Sequence, residues 1–268
     1  MKNGRDATTA PMLTVIVPAY RCAAMLRECL HGLLASDLPR AVADRVLVVD
    51  GGPRGPAFAR NMGARIARGR VLVFIDADAD ADADVVVAPT TLRGFAALFA
   101  RDPALGAAFG SYDDTPGDRG FISQYRNLLH RYVHTRSPGD TQTFWAGCGA
   151  VRRDAFLAVG GFDAVRYPRP QIEDIDLGYR LRAHHERIVL DPSLLGAHLK
   201  HWTVRNMLRT DLRARAIPWM HLLLRRREVA RDGPLNLGMA EKVFTVLTGV
   251  ALAALSPLPP SIDGASVG

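Results

Sequence analysis

The chain has 268 residues, long enough for one large domain or two small ones with a sizeable core, and its 48% apolar and 23% charged residues are typical of a soluble globular protein. That composition argues against collagen, coiled coil and wholesale disorder. Lys and Arg outnumber Asp and Glu by 34 to 27, and the segment 198–231, with nine basic and two acidic residues, by itself equals the formal net charge of +7. A neutral body with one basic stretch argues against nucleic acid as a partner and points to a local anionic one, phosphates or lipid headgroups.

The first residues, through about 11, lack the apolar stretch of a secretory signal and read as a disordered lead-in. Leu13 to Pro18, Arg45 to Asp50 and Arg70 to Asp76 are apolar, β-branched runs that each end in Pro or Asp, as buried parallel strands do. Between them, Ala23 to Ala35 and Pro56 to Arg68 carry apolar residues at helical spacing, so the start of the chain is βαβαβ. Ligands of such sheets bind beyond the carboxyl ends of the strands, where Tyr20, Asp50 and Asp76 fall.

Farther on, the pattern predicts a helix over Thr90 to Ala100, a strand over Ala107 to Ser111 and an Arg-, His- and Tyr-rich amphipathic helix over Gly120 to Thr135. A strand over Phe144 to Val151, a helix over Arg152 to Val159 closed by Gly160 and Gly161, a helix starting at Ile172, and a strand over Arg187 to Asp191 follow. Val204 to Arg227 reads as one or two basic helices broken near Pro218. Val243 to Pro260 is eighteen residues without a charge, short of a full span, and reads either as a membrane-dipping or truncated anchor or as a docking helix on the domain. The three cysteines, Cys22, Cys29 and Cys148, have no CxxC spacing, so neither a zinc site nor a disulfide framework is expected.

Four constellations carry chemistry. Residues 76–84 alternate Asp and Ala; Asp76 and Asp78 are the best placed to hold a hard divalent cation, Mg²⁺ or Mn²⁺, against a nucleotide diphosphate, whereas Asp80, Asp82 and Asp84 read as solvated loop residues. Glu173 and Asp174, with Asp176 close by, read either as a carboxylate group in which a raised pKa lets one member serve as general base or as an exposed acidic helix start with capping duties. His198 is a candidate to complete the metal site, and His201 reads as structural. Arg205, Arg209 and Arg213 form a basic stripe flanked by Trp202 and Trp219.

Taken in order, seven short motifs resemble the family 2 glycosyltransferases. They are Val15 to Tyr20, Val48 to Asp50, Gly55 to Gly63, Phe74 to Asp78, Trp145 to Ala150, Gly160 to Asp163, and Ile172 to Asp174. The resemblance runs from about Leu13 to Trp219 and implies a GT-A fold, a Rossmann-like, mixed and mostly parallel sheet flanked by helices, over residues 12–203. The basic helical region and apolar, possibly membrane-associated tail occupy 204–268. It further implies that Pro18, Tyr20 and Asp50 hold the nucleoside, that Arg60 and Asn61 line the donor pocket, and that Asp76, Asp78 and His198 carry metal and diphosphate. Asp174 matches the family's catalytic base, with Glu173 beside it. Trp145, Gly147, Cys148, Trp202, Arg213 and Trp219 are expected on the acceptor or interface side, the stretch Arg213 to Trp219 being loosely similar to the family's QxxRW motif.

The resemblance thus implies an inverting, metal-dependent transfer from a nucleotide-diphosphate sugar to a glycan or lipid-linked hydroxyl, at the cytoplasmic face of a membrane. One departure stands out. Asp50 to Pro56 bridges directly to the Arg-Asn helix, where family members insert a helix and a strand. That shortening motivates a competing reading, a catalytically impaired nucleotide-sugar-binding or membrane scaffold protein. A nucleotidyltransferase ranks third, since no Gly-rich, Lys-bearing loop follows the first strand.

Overall fold

The structure is a computed structural model in which residues 12–37, 43–77 and 85–226 are described. The expected lead-in over 1–11, Asp78, Asp80, Asp82, Asp84 and the uncharged run Val243 to Pro260 lie outside the described residues.

Strands β1 (Leu13–Ala19), β2 (Ala43–Asp50) and β3 (Val71–Ile75) alternate with helices α1 (Ala23–Leu34) and α2 (Gly55–Ile66), as the apolar runs predict. After these come β4 (Val85–Val87), α3 (Thr91–Arg101), β5 (Leu105–Tyr112), α4 (Phe121–Arg136) and the short β6 (Gly139–Asp140). The remainder is β7 (Cys148–Arg152), α5 (Arg153–Ala158), α6 (Glu173–Ala183), β8 (Arg187–His198), α7 (Val204–Arg209) and α8 (Ile217–Arg226), the last two joined by a π-helical segment, Thr210–Ala216. The strands form one sheet in the order β2-β1-β3-β7-β5-β8-β4, with β6 beside β8. β1, β2, β3, β5 and β8 run in one direction, while β4, β6 and β7 oppose them.

Both faces of the sheet are covered, which is why its central strands are continuously apolar rather than alternating. Leu13, Val15, Val17, Val73 and Ile75 pack under α1 and α3, and Ile16, Leu72, Phe74 and Phe109 pack under α2, α5 and α6. Gly63 of α2 sits against Ile16, and a Cβ there would collide with that side chain, so the glycine sets the close approach of α2 to the sheet.

Three expectations change. The predicted strand over Phe144 to Val151 begins only at Cys148, because Phe144 to Gly147 turn away to pack against α6 and the cleft. β8 is longer than predicted and carries on to His198, which is thus the strand's last residue and pairs with Val85. The interruption expected near Pro218 takes the form of a π-helical segment, Thr210–Ala216, between α7 and α8, with Pro218 the second residue of α8.

Candidate active site

The register puts Ile16 beside Phe74 and Ala19 beside Asp50, so the carboxyl ends of β1, β2 and β3 share one edge. Asp76 follows β3 directly and is pinned there: its amide donates to the Gly147 carbonyl at 3.2 Å, and its carbonyl accepts from the Val85 amide at 2.9 Å.

Arg60 projects from α2 beneath this edge. Its Nη2 donates to Asp76 Oδ1 at 2.6 Å and its Nη1 to Glu173 Oε1 at 2.9 Å, with the side chain only 2% exposed. Burial pulls the guanidinium's pKa down, and the two carboxylates more than reverse this, so it remains a cation. Glu173 is fully engaged, since its Oε2 accepts the Gln171 amide at 2.8 Å.

Asp174 stands next to Glu173 in the first turn of α6. Its Oδ1 accepts the Ile175 amide at 2.8 Å and its Oδ2 the Ala146 amide at 3.2 Å. Burial, then the charge of Glu173, push its carboxyl up to about 7, while Arg60 and the two amides restrain the rise. α6 can lie this close to the 143–146 backbone because residue 178 is glycine; a Cβ there would strike the Thr143–Phe144 peptide. Asp176 points elsewhere, into an ion pair with Arg180 at 2.8 Å.

Arg60, Asp76, Glu173 and Asp174 form one wall of a cleft of about 300 Å³. The facing wall is aromatic: Tyr112, His130, His134, Phe144 and Trp145, with Arg215 and Trp219 contributed by the C-terminal helical region. Tyr112 stacks on His198 at 4.3 Å between ring centroids and lies 4.4 Å from His130, and Trp145 meets Tyr112 edge-on at 4.9 Å. Burial, reinforced by His134, pushes the His130 pKa well below its ordinary value, and burial takes His134 down to about 4 against the pull of the Gly110 carbonyl at 3.1 Å. Both rings are therefore neutral at pH 7.

The sequence-predicted residues distribute as follows. Asp76, Glu173, Asp174, Arg60, Trp145 and Trp219 meet at the cleft. Pro18, Tyr20 and Asp50 lie at the carboxyl edge beside it, where Asp50 Oδ1 accepts the Gly52 amide at 2.7 Å. His198 is buried behind Tyr112.

Others fall away from the expected wall. Asn61 is a clip: its Nδ2 donates to the Phe162 carbonyl at 2.8 Å and its Oδ1 accepts the Phe162 amide at 2.9 Å, so its amide group holds the turn after Gly161. Cys148 is in the core beside Ile75, and burial pushes its thiol up to about 12, leaving it an inert apolar group. Gly147 is buried with it, its missing Cβ leaving room for the Trp145 ring. Trp202 is packed beneath Arg126 and Lys200, and Arg213 is exposed, so that Arg215 is the arginine of this stretch that reaches the cleft. Tyr112, His130, His134 and Gln171 are cleft residues that the motifs do not single out; the only signal for the histidines was their spacing of four on an amphipathic helix.

For a divalent cation, hard carboxylate oxygen at a strand end is the right donor chemistry, and Asp76 supplies it. Among the described residues no three His, Cys, Asp or Glu side chains converge as a metal cage, so a cation here would depend on Asp78, next but one along the chain.

Residues 51–160 match the family model described as Glycosyl transferase family 2. Among solved structures, the chain is similar to the mannosyltransferase PcManGT from Pyrobaculum calidifontis in complex with GDP-Man and Mn2+, with a TM-score of 0.60 and 21% identity over 94% of this chain and 78% of that one. It is also similar to S. aureus TarS 1-349, with a TM-score of 0.52 and 14% identity over 70% of this chain and 60% of that one. The complex of the same TarS fragment with UDP-GlcNAc gives a TM-score of 0.51 and 18% identity over 72% and 59%. No curated protein sequence matches significantly. At these identities the structural likeness speaks for the fold, and the family model speaks for the segment from the end of β2 to the end of α5: the chain has a GT-A glycosyltransferase fold whose residues 51–160 carry the family 2 pattern.

Proposed function

We propose that the protein is an inverting glycosyltransferase, moving a sugar from a nucleotide-diphosphate donor to a hydroxyl group of a glycan or lipid-linked acceptor at the cytoplasmic face of a membrane. The observation that carries this reading is Asp174, a carboxyl poised at about 7 in the same cleft as Asp76. A base with a pKa near the working pH is the one best suited to take a hydroxyl proton.

Donor nucleoside lies along Pro18, Tyr20 and Asp50, and its diphosphate reaches Asp76. Asp174 accepts the acceptor's proton as the acceptor oxygen bonds to the anomeric carbon and the bond from that carbon to the diphosphate breaks. The sugar is transferred directly, without a covalent enzyme intermediate. Asp76 and Asp78, with His198 as the third candidate ligand, would hold a divalent cation, which when bound would supply neutralising charge to the departing diphosphate. Arg60 fixes Asp76 and Glu173, and through Glu173 the neighbouring base. The aromatic wall of Tyr112, His130 and Trp145 suits the apolar face of a sugar ring. Placement at a membrane rests on the basic segment 198–231 and the uncharged run Val243 to Pro260. Among the described residues no helix is long and apolar enough to cross a bilayer.

The short connection from Asp50 to α2 favours a second reading, a nucleotide-sugar-binding scaffold without turnover. The two are separated by thermal unfolding with UDP, GDP, dTDP and CMP, each with and without Mn²⁺, followed by a donor-turnover assay. Stabilisation by one nucleotide that needs Mn²⁺ and vanishes in Asp78→Ala, together with turnover lost in Asp174→Asn, is the outcome expected of the transferase. Ligand at about 100 times its dissociation constant adds about 2.7 kcal/mol of stability, which is readily seen. Stabilisation without turnover selects the scaffold, and no shift with any nucleotide overturns the donor site.

A further inference from the structure

Helix α4 is amphipathic the wrong way round for a core helix. It buries Ser123, Asn127 and His134 against the body of the protein and exposes Phe121, Tyr125, Leu128 and Tyr132, spaced by four, three and four along one face. Phe121 is 80% exposed. Buried polar groups and exposed large apolar ones are each informative; together on one helix they mark a face without an apolar partner among the described residues.

The C-terminal helical region repeats the arrangement. From α7 through the π segment into α8, Leu208, Leu212, Ile217 and Leu224 are exposed, and Leu222 is the buried residue of α8. The π turns, closing over five residues, keep positions spaced by four and five on one side. Arg126 of α4 pairs with Asp211 of the π segment at 2.5 Å, and Ser123 Oγ accepts the Trp202 amide at 2.8 Å, so the two apolar stripes belong to elements clamped side by side.

We infer that α4 and the α7–α8 region form a single docking face for an anionic lipid bilayer. The charge around the stripes selects this occupant. Arg205, Arg209, Arg213 and Arg225 are exposed among the apolar residues, and Arg119 and Arg136 are exposed near the ends of α4. A second copy docking by the same face would set arginine against arginine across a two-fold axis, whereas acidic headgroups complement them. Arg at headgroup level with Leu, Phe and Tyr below is the composition of a helix lying in a membrane interface. Because Val133, Arg215 and Trp219 belong to these same elements and line the cleft, docking this way brings the cleft mouth to the lipid surface.

This inference rests on the membrane placement proposed above and goes further by assigning the surface. It is tested on the full chain by co-sedimentation with phosphatidylcholine vesicles, with and without phosphatidylglycerol. The variants are Tyr125→Asp/Leu128→Asp on α4 and Leu208→Asp/Leu212→Asp on the C-terminal stripe, with circular dichroism and thermal unfolding confirming that each folds. The expected result is binding that requires phosphatidylglycerol, falls with salt, and weakens about tenfold or more in each double variant. If both variants bind like the parent, the tail alone carries association: the docking face is overturned and the membrane placement stands. If the parent binds no vesicle, both fall. If the parent instead forms a concentration-dependent dimer that the variants abolish, the face belongs to a second copy and the inference is overturned.

Discussion

Arg60 Nη2 lies 2.6 Å from Asp76 Oδ1, and this contact joins the helix after β2 to the end of β3 at the point where the candidate metal site begins. With the arm to Glu173, it makes the strand end and the N-terminus of α6 one electrostatic unit. Removing the guanidinium leaves two buried carboxylates facing each other, so Arg60→Met is expected to cost about 3–5 kcal/mol in urea unfolding. Arg60→Lys keeps the charge but not the two-armed geometry, and is expected to cost less.

Asp174 makes activity and stability respond to pH in opposite senses. As the proposed base it must be ionised, so turnover is expected to rise as pH passes about 7 and then level off, and Asp174→Asn to lose about 10²–10⁴-fold in kcat. In the unfolded chain this carboxyl ionises near 3.8, so above that value the native state holds the proton more tightly than the unfolded one, and stability is lost as pH rises toward about 7. Asp174→Asn escapes that loss. It is expected to gain about 1 kcal/mol or more relative to the parent between pH 5 and pH 8, or about 2–4 °C in melting temperature. Equal melting differences at both pH values count against the raised pKa.

His134 acts the other way. Its native pKa of about 4 lies below the ordinary 6.5, so the unfolded state takes up the proton first and stability is lost as pH falls below about 6.5. His134→Gln stays neutral throughout and can still donate to the Gly110 carbonyl. Between pH 7 and pH 5 it is expected to lose about 1–2 kcal/mol less than the parent, read from urea midpoints.

Gly178→Ala tests whether the approach of α6 sets the base. The added methyl meets the peptide between Thr143 and Phe144, and backbone cannot step aside as a flexible side chain does. The expected cost is about 1–3 kcal/mol, with a fall in kcat larger than any change in donor affinity, because the displacement moves Asp174 and leaves the β1 and β2 ends in place.

The βαβαβ start was legible because buried parallel strands are near-continuous runs of Val, Ile and Leu, and α1, α2 and α4 because their apolar spacing is helical. β4 and β6, three and two residues long, are too short to carry a period, and the extension of β8 to His198 was hidden behind Pro192. In the site, Asp76, Glu173 and Asp174 stood out as carboxylates at element ends. The pairing of Arg60 with Glu173, 113 residues apart, leaves no local trace, and of the aromatic wall only Trp145 lies in a motif, while Tyr112, His130 and His134 come from a strand and a helix whose sequence signal speaks only of packing. The helix over Gly120 to Thr135 is legible as amphipathic, but periodicity does not say that the face carrying Phe121, Tyr125, Leu128 and Tyr132 is the one turned outward.

β2 ends the sheet, and only a 3-10 turn, Gly52–Arg54, separates it from α2. Among the described residues its outer backbone groups face no neighbouring strand, and Val46 and Val48 are exposed. The border on the side proposed for the nucleoside is therefore open to added chain. New chain grafted between Asp50 and Gly55 would lie at this margin without re-threading the core, and lengthening a surface connection costs little because closure entropy grows only slowly with length. Under the donor placement proposed above, a graft at this one short turn is expected to change the choice of base while Arg60 and the carboxylates it holds stay untouched.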